Sequence, residues 1–391
     1  MAPMLGKTLS TATAVAIGVV FFSSQNATGT ASTGYQINAA HDGTATASGK
    51  LVPPLSVKWT RDLGAYVSYP MVARDLVFVT VGNASICNPP SQLIALDIAT
   101  GNTVWQRDVD GRYCYTNAAY DSGRIFDLNA TGVLRSYSGD NRGKLLWTVQ
   151  LPIQTSFFTP PTAGDGHVVL AGGGSGGTLY SVNDLDGSVN WTAHIDGDGE
   201  TNPAIGDGGV YASLPCQAYR FDEQTGALNW RDNHGCDGGG GTTPVYFGKR
   251  VYPLDPNSNL DVLQSQKGTV IGHLGGDQPP SFWKGGHKIY EIILQAGVLK
   301  SIDQKSTARQ WSFTGDGALS SAPIVVDSTI FIASSKNKIF AVDAATGVQV
   351  WSGDLPAPFS QAYDGPITGL GVGLGTLLVP TGTKITAFSQ P

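Results

Sequence analysis

The sequence predicts an all-β protein, an eight-bladed propeller of four-stranded blades. Three observations carry that expectation: a glycine-rich, charge-poor composition, a tryptophan that returns at a fixed interval, and a half-blade at each end of the repeating region. Glycine supplies 51 of 391 residues, close to twice the usual ~7%. Charged residues make up 14%, against about 25% in an average domain. Helical bundles and coiled coils need Lys, Glu and Leu that this chain lacks, while aromatics at 9% and a net charge of only -6 argue against disorder. With 24 basic residues against 30 acidic ones, nucleic acid has no electrostatic foothold. The excess of Gly, Val, Ile, Thr and Tyr fits short strands joined by tight turns.

The repeat is clearest in two stretches, Ala95 to Trp105 and Ala341 to Trp351, which share Ala-x-Asp-x-x-Thr-Gly-x-x-x-Trp. Weaker copies keep the Gly-x-x-x-Trp ending at Trp147, Trp191 and Trp230. Thr307 replaces the glycine before Trp311, Gly272 stands where a tryptophan would follow Gly268, and Trp59 lacks the turn. The grid is 59, 105, 147, 191, 230, 272, 311 and 351, a mean step of about 42, and seven of the eight tryptophans fall on it. Only Trp283 does not.

A period of that length holds four strands of roughly 5–6 residues and their connections. Asp and Gly supply the hairpin into the Trp-bearing fourth strand, and the flat indole is placed between blades. A four-stranded sheet cannot bury both faces alone, so the units must stack radially. Eight grid positions give eight blades. Leu55 to Trp59 reads as a fourth strand without a third, and Lys384 to Ser389 as a third without a fourth. Pairing the two ends closes the ring and removes its free edges. The expected organisation is 1–31 signal peptide, 32–54 N-terminal extension and 55–391 propeller.

Lys7, the apolar stretch Leu9 to Phe22 and the small residues Gly29-Thr30-Ala31 have the pattern of an export signal. The apolar stretch is too short to span a bilayer, and no cysteine precedes Cys87 to carry a lipid. The expectation is a secreted or periplasmic, monomeric protein without a membrane span.

The repeated Ala-x-Asp-x-x-Thr-Gly-x-x-x-Trp resembles the pyrroloquinoline-quinone-like (PQQ-like) propeller repeat of the quinoprotein alcohol dehydrogenase-like superfamily, over about residues 55–391. That resemblance implies the fold and leaves function open between quinone-dependent dehydrogenases, outer-membrane assembly propellers and other exported propellers. The dehydrogenases of the superfamily carry a vicinal Cys-Cys pair over the cofactor, calcium ligands and a catalytic Asp. No two of the four cysteines here are adjacent, and neither the calcium ligands nor the Asp has a matching position. No cofactor is therefore expected, PQQ and calcium being the pair that the resemblance would bring.

Other motifs dissolve on inspection. Gly173-Gly-Ser175-Gly-Gly177 matches a hydrolase elbow in letters, yet lies between two strand patterns where that elbow needs a strand, a turn and a helix. The run from Gly369 to Gly375 lacks the helix and Lys-Ser/Thr of a phosphate loop. Asp196-Gly-Asp198-Gly-Glu200 supplies half the oxygens of a calcium loop and reads as a solvated turn. His194 and His234 have no third metal partner at diagnostic spacing, so no metal site is expected.

Cys87 and Cys114 occupy the second-to-third-strand loop and the exit loop of one repeat, and Cys216 and Cys236 the same two places in another. Both loop classes lie on one face of an up-down blade, which makes Cys87–Cys114 and Cys216–Cys236 the natural pairings. The same face carries a repeated polar position just before the innermost strand, two residues ahead of the proline position (Ala118 in the second blade): Ser68, Thr116, Thr159, Thr201, Thr242, Ser321 and Asp364, with neighbours Tyr69, Asn117 and Asn202; blade six has no clean equivalent, and Gln278 is nearest. These should ring the mouth of the central channel and either bind a small polar ligand or simply start strands through local hydrogen bonds. The functional expectation is a scaffold that binds a small polar ligand or a protein partner at the channel face and has no catalytic site. A PQQ-dependent alcohol or sugar dehydrogenase and a polysaccharide-acting hydrolase or lyase stand as its rivals.

Overall fold

The computed structural model describes Met1 and residues 31–47, 49–83, 85, 90–109, 115–140, 142–235, 241–254, 260–362 and 365–391. Residues 2–30 of the expected signal peptide and the position Asp364 lie outside these residues. Among the described residues every regular element is a β-strand, and the strands form eight sheets.

Blade 4 shows the unit. Ala204–Gly206 is innermost, followed outward by Gly209–Leu214, Gln217–Asp222 and Leu228–Asn233, all antiparallel. The second and third strands are buried nearly throughout, while the fourth alternates, turning Trp230 inward and its neighbours to solvent. The turn between third and fourth strands repeats its chemistry. Asp222 Oδ1 accepts from the backbone N–H of Thr225 at 2.9 Å and from its hydroxyl at 2.8 Å, and Gly226 N–H closes onto Asp222 O at 2.9 Å. Asp97 and Asp343 bond Thr100 and Thr346 in the same way.

Seven blades follow in chain order within 66–108, 116–150, 162–195, 204–233, 245–273, 281–313 and 324–354. Blade 8 combines Gly371–Gly373, Thr376–Thr381 and Lys384–Ser389 with Ser56–Asp62 from the other end of the chain. In that closure Val57 pairs with Phe388, Trp59 with Ala387 and Arg61 with Ile385, antiparallel as the half-blades require.

The core consists of apolar layers between adjacent blades. One joins Leu378 and Ile385 of blade 8 to Val77, Val79 and Leu96 of blade 1 around Trp59, and another joins Phe126 and Leu134 of blade 2 to Val168 and Tyr180 of blade 3. The grid tryptophans sit at the outer margin of these layers. Trp59, Trp105, Trp147, Trp191, Trp230 and Trp311 donate Nε1–H to the carbonyls of Ile98, Asp140, Asp184, Glu223, Ser265 and Ala344, each in the next blade, at 2.8–3.1 Å. Each indole lies on the turn glycine of that next blade. A Cβ placed on Gly101, Gly143, Gly187, Gly226, Gly268 or Gly347 would come within 2.5–2.7 Å of the ring. The two halves of the Gly-x-x-x-Trp motif therefore serve different junctions: the tryptophan locks forward and the glycine receives the tryptophan from behind.

The channel is filled. Residues 31–47, expected only as an extension, enter the ring and bond to the inner strand or mouth-side loop of every blade. Ser32 exchanges backbone bonds with Val372 and Val72, Tyr120 N–H donates to Thr33 O, Ile205 N–H to Ala39 O, Tyr246 N–H to Ala40 O and Val325 N–H to Gly43 O. The Thr44 hydroxyl reaches Phe282 O at 3.1 Å, and His41 Nε2 meets the Thr162 hydroxyl at 3.1 Å. Thr44–Ala45 adds a parallel strand inside blade 7. The segment runs up the axis to a tip at Tyr35–Gln36 and back down, so both its ends leave the ring on the face opposite the tip.

Candidate functional site: the mouth of the channel

The tip of the axial segment floors a cavity of about 720 Å³ on the opposite face. Its wall comes from the residues entering the inner strands, Tyr115, Phe158, Glu200, Ser320 and Ile367, and from Phe359, Gln361 and Ala362 in the loop that leaves blade 7. Tyr35 is the floor. Two smaller depressions adjoin it, one sharing Phe158 and Glu200 and adding Asp198, the other sharing Tyr35 and Gln278 and adding Asp277.

The repeated polar ring lies beneath this wall, one residue later in blades 2, 3, 4 and 7. Thr116, Thr201 and Ser321 follow Tyr115, Glu200 and Ser320, and neighbouring residues of an extended segment face opposite ways. The hydroxyls therefore turn into the blades. Ser68 Oγ accepts from Thr80 N–H at 2.9 Å, Thr201 Oγ1 from Ser213 N–H at 3.1 Å and Ser321 Oγ from Ala333 N–H at 2.9 Å, each fastening the second strand to the entry of the first. Thr116 bonds Leu128 O at 3.1 Å and the Asp127 carboxylate, and Thr242 bonds Pro253 O at 2.5 Å. Tyr69 is buried with its hydroxyl on Ala118 O at 2.5 Å. Asn117 accepts from Ile367 N–H at 3.1 Å, and Asn202 meets the Thr162 hydroxyl at 3.2 Å, extending the contact with His41. Thr159 is half-buried beside Phe158, with no hydrogen-bond partner for its hydroxyl. In blade 8 the residue three places before the inner strand, as Thr201 is in blade 4, is Thr368, which lines the cavity.

The cavity-facing positions have no common residue type, which is why a search for repetition passed over them. Their chemistry is aromatic and acidic. Tyr115 packs edge-on against Phe158 with ring centres 5.6 Å apart and donates its hydroxyl to Phe158 O at 2.5 Å. Burial pushes the Tyr115 phenol well above its ordinary range and that of Tyr35 up to about 12, so both are neutral donors. Ser320 donates to Phe359 O at 2.9 Å, tying the blade 7 exit loop to the wall. Glu200 is the one charged side chain among the described residues of the main cavity, and the neighbouring Asp198 and Asp277 carry the same sign. No described residue pairs a nucleophile with a base there.

The glycine run around Ser175 is a hairpin loop between His167–Gly172 and Gly177–Asn183, and the run around Gly371 opens a short strand. Asp196 is engaged by Arg231 and lies 3.2 Å from His194. Cys216 is disulfide-bonded, while Cys87, Cys114 and Cys236 lie outside the described residues. No helix among the described residues is long and apolar enough to cross a membrane.

Eight four-stranded blades, closed by the two chain ends and locked by a Trp–Gly repeat, define a PQQ-like β-propeller. The family model described as outer membrane protein assembly factor BamB matches residues 7–107, 130–280 and 295–389, and the chain belongs to that family. It is 24% identical over 240 residues to the outer membrane protein assembly factor BamB of Yersinia pestis, covering 54% of this chain and 56% of that one. The chain spans about half the length of the curated relatives it matches. Among solved structures it is similar to BamB from Moraxella catarrhalis, with a TM-score of 0.64 and 14% identity over 86% of this chain and 99% of that one. It is also similar to the quinohemoprotein alcohol dehydrogenase of Comamonas testosteroni, with a TM-score of 0.68 and 13% identity over 92% and 80% of the two chains.

Proposed function

We propose that the chain is an exported, non-catalytic binding scaffold that holds a protein partner at the channel mouth, in the periplasm, as part of outer-membrane protein assembly. The observation that carries this reading is the lining of the mouth: Tyr35, Tyr115, Phe158 and Phe359 with Glu200, and no Lys or Arg among the described residues. Such a surface suits an extended segment bearing aromatic and basic side chains, which stack on the rings and meet the carboxylates. The relatives named as outer-membrane assembly factors support the setting.

The rival enzymes fit this lining poorly. PQQ is a tricarboxylate, and its recognition calls for cations where this mouth carries acids. Glycoside hydrolysis needs two facing carboxyl groups, and the described residues of the cavity supply only Glu200. The pairing Cys216–Cys236, with Cys87–Cys114 in blade 1, belongs to the same reading, since export permits both bonds and both would stiffen loops around the mouth.

The test has two arms. Protein incubated with PQQ and calcium should show no dye-linked oxidation of alcohols or sugars, and turnover there would replace the scaffold with a dehydrogenase. Unfolded outer-membrane barrel segments should bind the wild-type chain and bind Phe158→Ala at least tenfold more weakly. Equal binding would place the contact elsewhere.

A further inference from the structure

On the same face, at the junction of blades 4 and 5, four ligand-type side chains meet outside the cavity. Asp232 lies near the end of the strand Leu228–Asn233 and His234 just beyond it, anchored through its N–H to Cys216 O at 2.8 Å. Asp261 opens the strand Asp261–Gln264, and its cross-strand partner is His273. His234 Nε2 stands 3.0 Å from Asp232 Oδ2 and 3.4 Å from Asp261 Oδ2. On the other side, His273 Nδ1 stands 2.6 Å from Asp261 Oδ1.

We infer that Asp232, His234 and Asp261 bind a divalent first-row transition ion of the zinc type, with His273 as the further donor beside Asp261. The Asp261 side chain is only 4% exposed, and at its Oδ1 the His273 imidazole stands at 2.6 Å outside hydrogen-bond geometry. A buried carboxylate without a fixed cation is costly, and among the described residues no Lys or Arg pairs with Asp232 or Asp261, whose ion-pair partners are imidazoles. A bound dication supplies the missing charge and takes the imidazoles in their neutral form. One ligand atom from each of Asp232, His234 and Asp261 lies within 4.8 Å of the others. The two His234 contacts are close to the donor–donor edge of about 3.3 Å in a tetrahedron with arms of ~2.0–2.1 Å. Mixed imidazole and carboxylate ligation suits zinc and its neighbours better than calcium, which prefers oxygen alone. The spacing that hid the site is plain: Asp261 is 27 positions beyond His234, on another blade.

The test is zinc titration of the tag-free full chain against a metallochromic chelator, with the melting temperature read in parallel. Wild type should take up one zinc ion per chain and melt higher with it. His234→Ala and Asp261→Asn should each bind at least tenfold more weakly and lose the zinc-dependent rise. His194→Ala, which removes an exposed histidine beside Asp196, should bind like wild type. If Asp261→Asn does not fold, His234→Ala alone decides. No uptake by wild type, or equal uptake by His234→Ala, overturns the assignment.

Discussion

The rim and the axis of this propeller are built on opposite principles. At the rim one device recurs: an indole of one blade lies on the turn glycine of the next, at six of the eight junctions. At the axis the segment itself does not repeat: 17 residues, 31–47, meet eight inner strands, taking a backbone N–H from Val72, Tyr120, Ile205, Tyr246 and Val325 onto five different carbonyls and meeting the other three strands through Ser32, His41 and Thr44. The two rim exceptions teach why the device works. Between blades 5 and 6 both members are missing together, Gly272 for the tryptophan and Thr307, at φ 56°, for the glycine. With no indole behind it, the turn has room for a side chain. Between blades 7 and 8 Trp351 is present, but blade 8 takes its third and fourth strands from the two chain ends and has no turn between them. Trp351 packs edge-on against Phe388 instead, with ring centres 5.5 Å apart.

The contrast can be broken first at the axis. Deleting residues 31–47 removes the buried Ile37 together with bonds to every blade, and should lower the urea midpoint more than any single rim substitution. A truncated chain that unfolds with wild type would reduce the axial segment to ornament. At the rim, Trp191→Ala should cost about 3–5 kcal/mol, as large aromatics truncated in a core do. Trp351→Ala, lacking both the glycine seat and the backbone acceptor, should cost visibly less, and equal losses in denaturant unfolding would dissolve the lock.

Gly226→Ala attacks the same lock from the receiving side. Its φ is 69°, and its Cβ would meet the Trp191 ring at 2.6 Å. Left-handed strain and overpacking together should cost roughly 2–4 kcal/mol, whereas Gly272→Ala, with open space around it, should cost far less. Acid should then separate axis from rim. Burial lowers the His41 pKa from 6.5 to about 4, so the unfolded chain binds the proton first as pH falls. The stability this neutral histidine maintains above pH 6.5 is lost on the way down to 4. At pH 5 the loss should be on the order of 2 kcal/mol, and His41→Gln should flatten that part of the pH profile. An unchanged slope would sink the argument. The smallest effect is a gain. Thr307→Gly relieves a left-handed residue where no indole waits, and should stabilise by about 1 kcal/mol.

The same division explains what could be read from the chain. Trp105 and Trp351, Gly101 and Gly347 recur because eight junctions pose one geometric problem, and the half-blades at Trp59 and Phe388 gave the closure and the blade number. Tyr35 and His41 meet no repeated problem, so nothing in their spacing announced that residues 31–47 fill the channel. Around the mouth, regularity pointed one residue away from the cavity. Thr116, Thr201 and Ser321 recur because every blade must fasten its first strand to its second, while Tyr115, Glu200 and Ser320 differ because a single cavity is lined once. Asp261 and His234 had no shared signal, since only the stacking of blades 4 and 5 brings them together.

The path of the axial segment also fixes how the molecule can be held. Ala31 leaves the ring on the face opposite the cavity, and the last strand, Lys384–Ser389, runs toward that same side. A fluorophore, resin or surface coupled through the C-terminus would leave the aromatic mouth turned outward and unobstructed. An immobilised chain would thus present every copy in one attitude, with the acidic cavity and the His–Asp cluster facing the solution together.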